Sequence, residues 1–408
     1  MSFLLAAITT GVGYALGGPV GALIGYAVKE KAAGTIGEMN APGDDKSSPE
    51  FKKRQAIREY NDLLDRTDPS VPAGTPNLKC IADQKAKRRE DRKDLIRKTQ
   101  SKSADENDPK KKQMNDAANR LAKDMDRVED AKLSLYTYTA NEDLAKQEEF
   151  LKPLREQPPP GFKNATSDQV ANDFGVDAGK LTSILNKKNG EGQRIMIYER
   201  DETILGPGPK YTVAFRGSTS DKRDWHNNGL HEAGYEAPHQ QNAIALGKFL
   251  AAGAAEQDKP ITDLISATGH SKGGSEAQAF EAASRSTCRV FNPAGFDPKQ
   301  YGVNVDPKER HVDQTIIVSR NKDGKLIEST KTVPYTDPLH YAQQKGMSQY
   351  VMVKPVSNEV RELAPINPNY RVPSEEQSET EAHSMLQVIE ALERDKEADQ
   401  NAMKDYVK

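Results

Sequence analysis

The apolar positions along the chain change their period from region to region. Residues 1–28 carry no charged side chain, and Gly13, Gly17, Gly21 and Gly25 recur there at every fourth position. On a helix this spacing lines the glycines along one stripe, the small-residue face that lets helices approach closely in a bilayer. The stretch is long enough to cross a membrane once. Lys29 and Lys31 follow it, where they would sit at an interface, and no Lys or Arg precedes it, as a cleavable signal peptide would require. Pro19 divides the run, so a short hairpin or a covered helical pair is the alternative. Residues 84–112 are dense in interspersed Lys, Arg, Asp and Glu, which reads as a solvated helix or a connector. Next, Met114, Ala118, Leu121, Met125 and Val128 recur at three- and four-residue spacing, the signature of an amphipathic helix with one buried face.

From Ile195 onward, short apolar runs alternate with helical patterns. Strands are expected at 195–198, 210–215, 264–267, 289–291, 315–318 and 350–353. Helices are expected at 177–185, from about 240 to 255, at 275–283, and at the C-terminus, where Met385, Ile389 and Leu392 share a face. This alternation predicts an α/β fold with a mostly parallel sheet flanked by helices, preceded by an N-terminal apolar and helical region. The expected division is a glycine-striped, membrane-seeking segment at 1–37, a charged helical or linker region at 38–112, and the α/β domain at 113–408.

Composition narrows the function classes. A chain of 408 residues holds two or three domains, and a net charge of -3 gives no reason to expect nucleic acid as a partner. Two cysteines, Cys80 and Cys288, do not make a disulfide framework, and Cys288 in the run Thr287–Phe291 reads as a small buried filler. No Cys/His cluster has zinc-site spacing, and no metal or cofactor is expected.

The candidate chemistry centres on Gly269-His270-Ser271-Lys272-Gly273-Gly274, which follows a strand pattern and precedes a helix pattern. Strand, sharp Gly-x-Ser-x-Gly turn and helix make the layout of the nucleophile elbow of α/β-hydrolases. An ordinary glycine-rich loop is the alternative; the flanking elements and the extra Gly274 favour the elbow. Such a serine needs a base and a group to orient it, in the chain order Ser, acid, His. Downstream lie His311, His340 and His383. Pairing Asp337 with His383 fits this order, and His311 and His340 read as surface or loop histidines. The oxyanion hole needs two N–H groups. Lys272, which follows the nucleophile, supplies one, and the loop after the 210–215 strand offers Ser218 for the other. Arg216 is expected in a buried ion pair that holds this loop.

Three strings in order, Val213-Ala214-Phe215-Arg216-Gly217-Ser218, Asp224-Trp225-His226-Asn227-Asn228 and Gly269-His270-Ser271-Lys272-Gly273-Gly274, resemble class 3 lipases. The resemblance extends to Asn292-Pro293-Ala294-Gly295 and His383-Ser384-Met385, and covers about residues 115 to 395. It is closest to bacterial relatives of that group, of the phospholipase or lipase effector type. It implies a Ser-Asp-His acyl hydrolase acting on lipid esters, a phospholipase A or lipase, with Ser271 as nucleophile, His383 as base, Asp337 as the orienting acid, and Ser218 and Lys272 at the oxyanion hole. Two departures stand out. Lys272 occupies an apolar position of the fungal lipases, and the segment 221–228, with Trp225 as lid candidate, is polar where a lipase lid is apolar. Taken with residues 1–37, the expected protein is a secreted or injected bacterial effector that works on membrane phospholipid at the membrane or periplasm of a target cell. Secretion machinery and an inhibitor or immunity protein are its expected partners. A soluble esterase or thioesterase, or a non-enzymatic membrane-interacting protein on a hydrolase scaffold, are the other readings.

Overall fold

The computed structural model describes residues 78–103, 108–139, 158–186, 192–218, 222–320, 322–326, 336–345, 359–365, 383 and 385–408. Residues 1–37 and the strand expected at 350–353 lie outside these. Among the described residues, no helix is long and apolar enough to cross a membrane.

Two helices open the described chain, α1 (Leu78–Lys102) and α2 (Pro109–Thr139). Pro109 begins α2 as the proline tolerated in a first turn, with the Asp108 carboxylate accepting from the N–H of Lys110 at 2.8 Å. Seven strands follow: β1 (Phe162–Asn164), β2 (Ile195–Arg200), β3 (Tyr211–Phe215), β4 (Ile265–His270), β5 (Thr287–Phe291), β6 (Val312–Ile317) and β7 (Glu359–Leu363). They form one sheet in sequential order. β1, β2 and β3 pair antiparallel, and β3 through β7 pair parallel. Strands β1 and β7 went unread in the sequence: β1 has three residues, and β7 (Glu-Val-Arg-Glu-Leu) is mostly charged. Besides two four-residue turns of helix, Glu202–Leu205 and Ile261–Leu264, the remaining α-helices among the described residues are α3 (Ser167–Phe174), α4 (Ala178–Leu185), α5 (Lys222–Glu232), α6 (Pro238–Glu256), α7 (Lys272–Ser284), α8 (Pro338–Lys345) and α9 (Met385–Val407). The result is a mixed seven-stranded sheet flanked by helices.

Alternation along the strands sorts side chains onto the two faces. Tyr211, Val213 and Phe215 of β3, with Ile265 and Ala267 of β4, pack against Leu246 and Leu250 of α6 and Ala277 and Phe280 of α7. Burying each of the larger side chains contributes about 1.5–3 kcal/mol. On the opposite face, Phe291, Ile317 and Leu363 meet Val128 and Ala131 of α2 and Val388 and Leu392 of α9. The α2 periodicity is observed as expected: Met114, Ala118, Leu121, Met125 and Val128 are all buried.

The α2 seam is also polar. Ser134 and Thr268 share a hydrogen bond at 2.9 Å, and Arg289 donates to Asp130 at 2.7 Å. Arg127, fully buried, donates to Asp124 at 2.8 Å and to Glu359 at 2.6 Å. These pairs fix how α2 sits on the sheet, because a slip would strand buried charge.

Helix α1 differs from the expected solvated helix or connector. Ile96 is buried in a cluster with Leu121, Met125 and Met403. Lys85 pairs with Glu129, Arg89 with Asp126, and Arg92 donates to Gln400 at 3.1 Å. Part of its charge is matched by α2 and α9 partners, while Lys93, Arg97 and Lys98 pair within the helix on its exposed side, and nothing in the local sequence marks which charges find distant partners.

Candidate active site

The loops leaving β3, β4, β5 and β6 gather at the C-terminal edge of the sheet, where ligands bind in open α/β folds. Ser271 follows the last residue of β4 with φ 56° and ψ -125°. For a residue with a Cβ this backbone costs of order 1–3 kcal/mol and persists only where its surroundings impose it. Here the N–H of Ser271 donates to the Phe291 carbonyl at 3.1 Å, and the Ser271 carbonyl accepts from Ala294 at 2.9 Å. The two motif glycines are required by packing: a Cβ on Gly269 would stand 2.2 Å from the Gly273 carbonyl oxygen, and one on Gly273 would stand 2.2 Å from that of Phe215. Ser271 is left half-buried at the N-terminus of α7, whose N–H groups favour negative charge there.

Asp337 and His383, separated by 46 positions, meet at 2.6 Å between Oδ2 and Nδ1. Because a carboxylate only accepts, Nδ1 of His383 carries the proton and Nε2 presents its lone pair. Asp337 is fully buried and doubly held. Its N–H donates to the carbonyl of Ile317, the last residue of β6, at 2.9 Å, and its Oδ1 accepts from the N–H of His340 at 2.8 Å. The carbonyl of His383 lies 2.7 Å from Nε2 of His270, the residue before Ser271, and the two imidazole rings lie 4.7 Å apart. The structure thus brings Asp337, His383 and the elbow together.

His311 lies apart from this group, and His340 meets it through its backbone N–H. His311 is exposed beside the N-terminal end of β6, the wrong edge of the sheet, with its N–H on Glu281 at 2.7 Å. His340, expected as a surface or loop histidine, is instead buried on α8. Asp337 just before that helix turns its carboxylate onto the helix start, where Oδ1 accepts from the His340 N–H.

Ser218 lies in the loop after β3, and its hydroxyl accepts from Asn228 Nδ2 of α5 at 2.8 Å. The Lys272 side chain turns into a buried charge network. Its ammonium donates to Asp224 at 2.7 Å, to His239 Nδ1 at 2.9 Å and lies 3.1 Å from Glu276. Arg216 lies 3.8 Å from the same Asp224 and donates to the Gly192 carbonyl at 2.7 Å. Burial works to raise the Glu276 carboxyl pKa; Lys272, His239 and Gln193 overcome it and bring it down to about 2. Trp225, half-buried, follows Asp224 on α5. The Arg216–Asp224 contact is the buried ion pair expected for Arg216; sequence reasoning missed the part built on Lys272, His239 and Glu276, although the i, i+4 spacing of Lys272 and Glu276 was visible.

Two buried histidines are structural ties. His231 Nε2 donates to the Gly295 carbonyl at 2.9 Å, and its Nδ1 accepts from the Tyr301 hydroxyl at 2.7 Å, holding α5 to the loop after β5. Burial holds His270 well below the usual imidazole pKa. Cys288 is the expected buried filler, its thiol pKa pushed well up by burial. Among the described residues, no group of three or more His, Cys, Asp or Glu is arranged to hold a metal ion.

With this geometry in view, a family model described as phospholipase-like, the Tle-like phospholipase domain, matches residues 129–369. The match spans more than half of the chain, takes in the sheet, the elbow and Asp337, and ends short of His383. No curated protein matches the sequence.

Proposed function

The chain belongs to the Tle-like phospholipase family, a bacterial phospholipase effector family of lipid-ester hydrolases, and from that membership we propose that it hydrolyses membrane phospholipid through a Ser271–His383–Asp337 triad on an α/β-hydrolase fold. The observation that carries the proposal is the hydrogen bond of His383 to buried Asp337 beside a serine held at positive φ. His383 Nε2 takes the Ser271 proton as Oγ attacks the ester carbonyl. The oxyanion is received by the N–H groups of Lys272 and Ser218, and Asp337 stabilises the imidazolium. His383 then returns the proton to the leaving alcohol, and a water activated by the same imidazole releases the fatty acid.

The class 3 lipase-like motifs support the same assignment. The target is a bacterial membrane, approached through residues 1–37, and the protein is delivered by secretion machinery and restrained in its producer by an inhibitor or immunity protein. The polar character of 221–228 suits a charged headgroup at least as well as a neutral triglyceride.

The decisive experiment is lipid analysis of phospholipid vesicles treated with wild type and with Ser271→Ala. Free fatty acid and lysophospholipid are expected with wild type only, the variant losing about 10⁵-fold or more. Equal product from both forms, or none from either, would remove the assignment. Cleavage confined to soluble short esters would favour the esterase reading.

A further inference from the structure

Tyr138, near the end of α2, belongs to none of the motifs read from the sequence, yet its hydroxyl touches two parts of the site. It lies 2.9 Å from Nδ1 of His270 and packs closely against Gly217 in the loop after β3. The approach to that loop is close: a Cβ on Gly217 would stand 1.7 Å from the Tyr138 hydroxyl and 2.7 Å from the His270 carbonyl oxygen. His270 carries the connection onward, with Nε2 at 2.7 Å from the His383 carbonyl. A carbonyl only accepts, so Nε2 bears the proton and Nδ1 is a lone pair, to which the Tyr138 O–H donates. The bonds joining Tyr138, His270 and His383 therefore have one assignment of donors and acceptors.

Both side chains are buried, Tyr138 at 5% and His270 at 1% exposure. Burial holds the imidazole pKa well down and the phenol pKa up, so neither charges near neutrality and the bond directions persist.

We propose that Tyr138 and His270 are positioning residues that hold the main chain of His383 and the loop that begins at Arg216 and carries Ser218 in register with the nucleophile strand. This rests on the reading of Ser271, Asp337 and His383 as the reacting groups. Asp337 grips only one ring nitrogen of His383, and that bond does not reach its main chain. The His270 bond fixes that main chain from the strand that ends in Ser271. Proton transfer requires heavy atoms at hydrogen-bond distance, and a misplacement of about 1 Å costs on the order of 100-fold in rate. The Tyr138–Gly217 contact applies the same constraint to the oxyanion loop. Helix α2, outside the sheet, thereby becomes part of the catalytic frame.

The test compares wild type, Ser271→Ala, His270→Phe, His270→Gln and Tyr138→Phe. Each is measured for kcat and KM on p-nitrophenyl butyrate, with active sites counted by a p-nitrophenyl phosphonate, so that misfolded protein does not enter kcat. His270→Phe is expected to lose about 100-fold in kcat per titrated site while KM stays within about two-fold. His270→Gln, whose amide N–H reaches the place of Nε2–H, is expected to recover about ten-fold, and Tyr138→Phe to lose about ten-fold. A purely structural role would lower the number of titrated sites and leave kcat per site unchanged; that result, or a loss that Gln does not rescue, overturns the proposal. Should His270→Phe fail to fold, Tyr138→Phe and His270→Gln decide: wild-type kcat in Tyr138→Phe overturns it. Activity retained by Ser271→Ala would be a different failure, that of the triad itself.

Discussion

The ammonium of Lys272 donates to the carboxylate of Asp224 over 2.7 Å, with both side chains buried. The contact ties α5 to the residue after Ser271, while the N–H of Lys272 stays in the elbow backbone. In Lys272→Met, Asp224 and Glu276 lose their shared cation. Breaking a buried pair from one side costs about 3–5 kcal/mol, which for a domain of this size lowers Tm by roughly 10 °C. Because the backbone N–H remains, activity per folded molecule should fall well short of the roughly 10²–10³-fold that loss of an oxyanion donor brings. Calorimetry and esterase assays at low temperature check both parts. An unchanged Tm would mean that the network does not hold the elbow.

Asp337→Asn is expected to lower kcat by about 10⁴-fold with little change in KM, because an amide N–H facing Nδ1 favours the wrong tautomer of His383. His311→Ala should be indistinguishable from wild type. His340→Ala should destabilise the protein, since its side chain is buried on α8, yet keep activity per titrated site within about ten-fold. A dead His340 variant beside an active His383→Ala variant would show the base to be misassigned.

Stability should depend on pH through the buried histidines. Burial lowers the pKa of His270, and of His231 against the opposing hydrogen bond to the Gly295 carbonyl, below 6.5. Below 6.5 the unfolded chain takes up protons that the folded chain does not. The contribution is therefore complete above that value and is lost as pH falls beneath it. Glu276, at about 2 against an ordinary 4.5, adds a second loss as pH falls below 4.5. Burial raises the pKa of Asp130, Asp313 and Glu281, whose contributions run the opposite way. The readout is accordingly a difference: between about pH 7.5 and about pH 5.5, the urea midpoint of wild type should fall more steeply than that of His270→Gln. Parallel slopes would show that His270 takes up protons equally in both states.

Expression in a bacterium should be toxic, most of all with export to the periplasm. Toxicity should require Ser271 and weaken on deletion of residues 1–37. Permeabilisation by the N-terminus alone predicts equal killing by wild type and Ser271→Ala, so viable counts of the two separate the accounts. Harmless wild type in both compartments would favour a housekeeping lipase.

Local pattern determined much of this protein. The strands at 195–200, 211–215, 265–270 and 287–291 and helices α2, α6, α7 and α9 were legible because each carries its own period of apolar residues. The Ser271 elbow was legible because a strained turn between strand and helix demands small residues at fixed offsets. Short or charged strands carry no such period, so β1 and β7 emerge only where neighbouring strands supply hydrogen-bond partners. The partners of buried charge were equally hidden. That Lys272 turns onto Asp224, Arg127 onto Glu359, and α1 onto α2 and α9 depends on residues tens to hundreds of positions apart. Chain order suggested pairing Asp337 with His383, but only folding brings them to 2.6 Å. Tyr138 had no signal at all, because a tyrosine on a helix looks like core until the hydroxyl is seen to reach His270. Sequence periodicity reports what each element does with water; the site depends on where separate elements meet, which is a property of the packed chain alone.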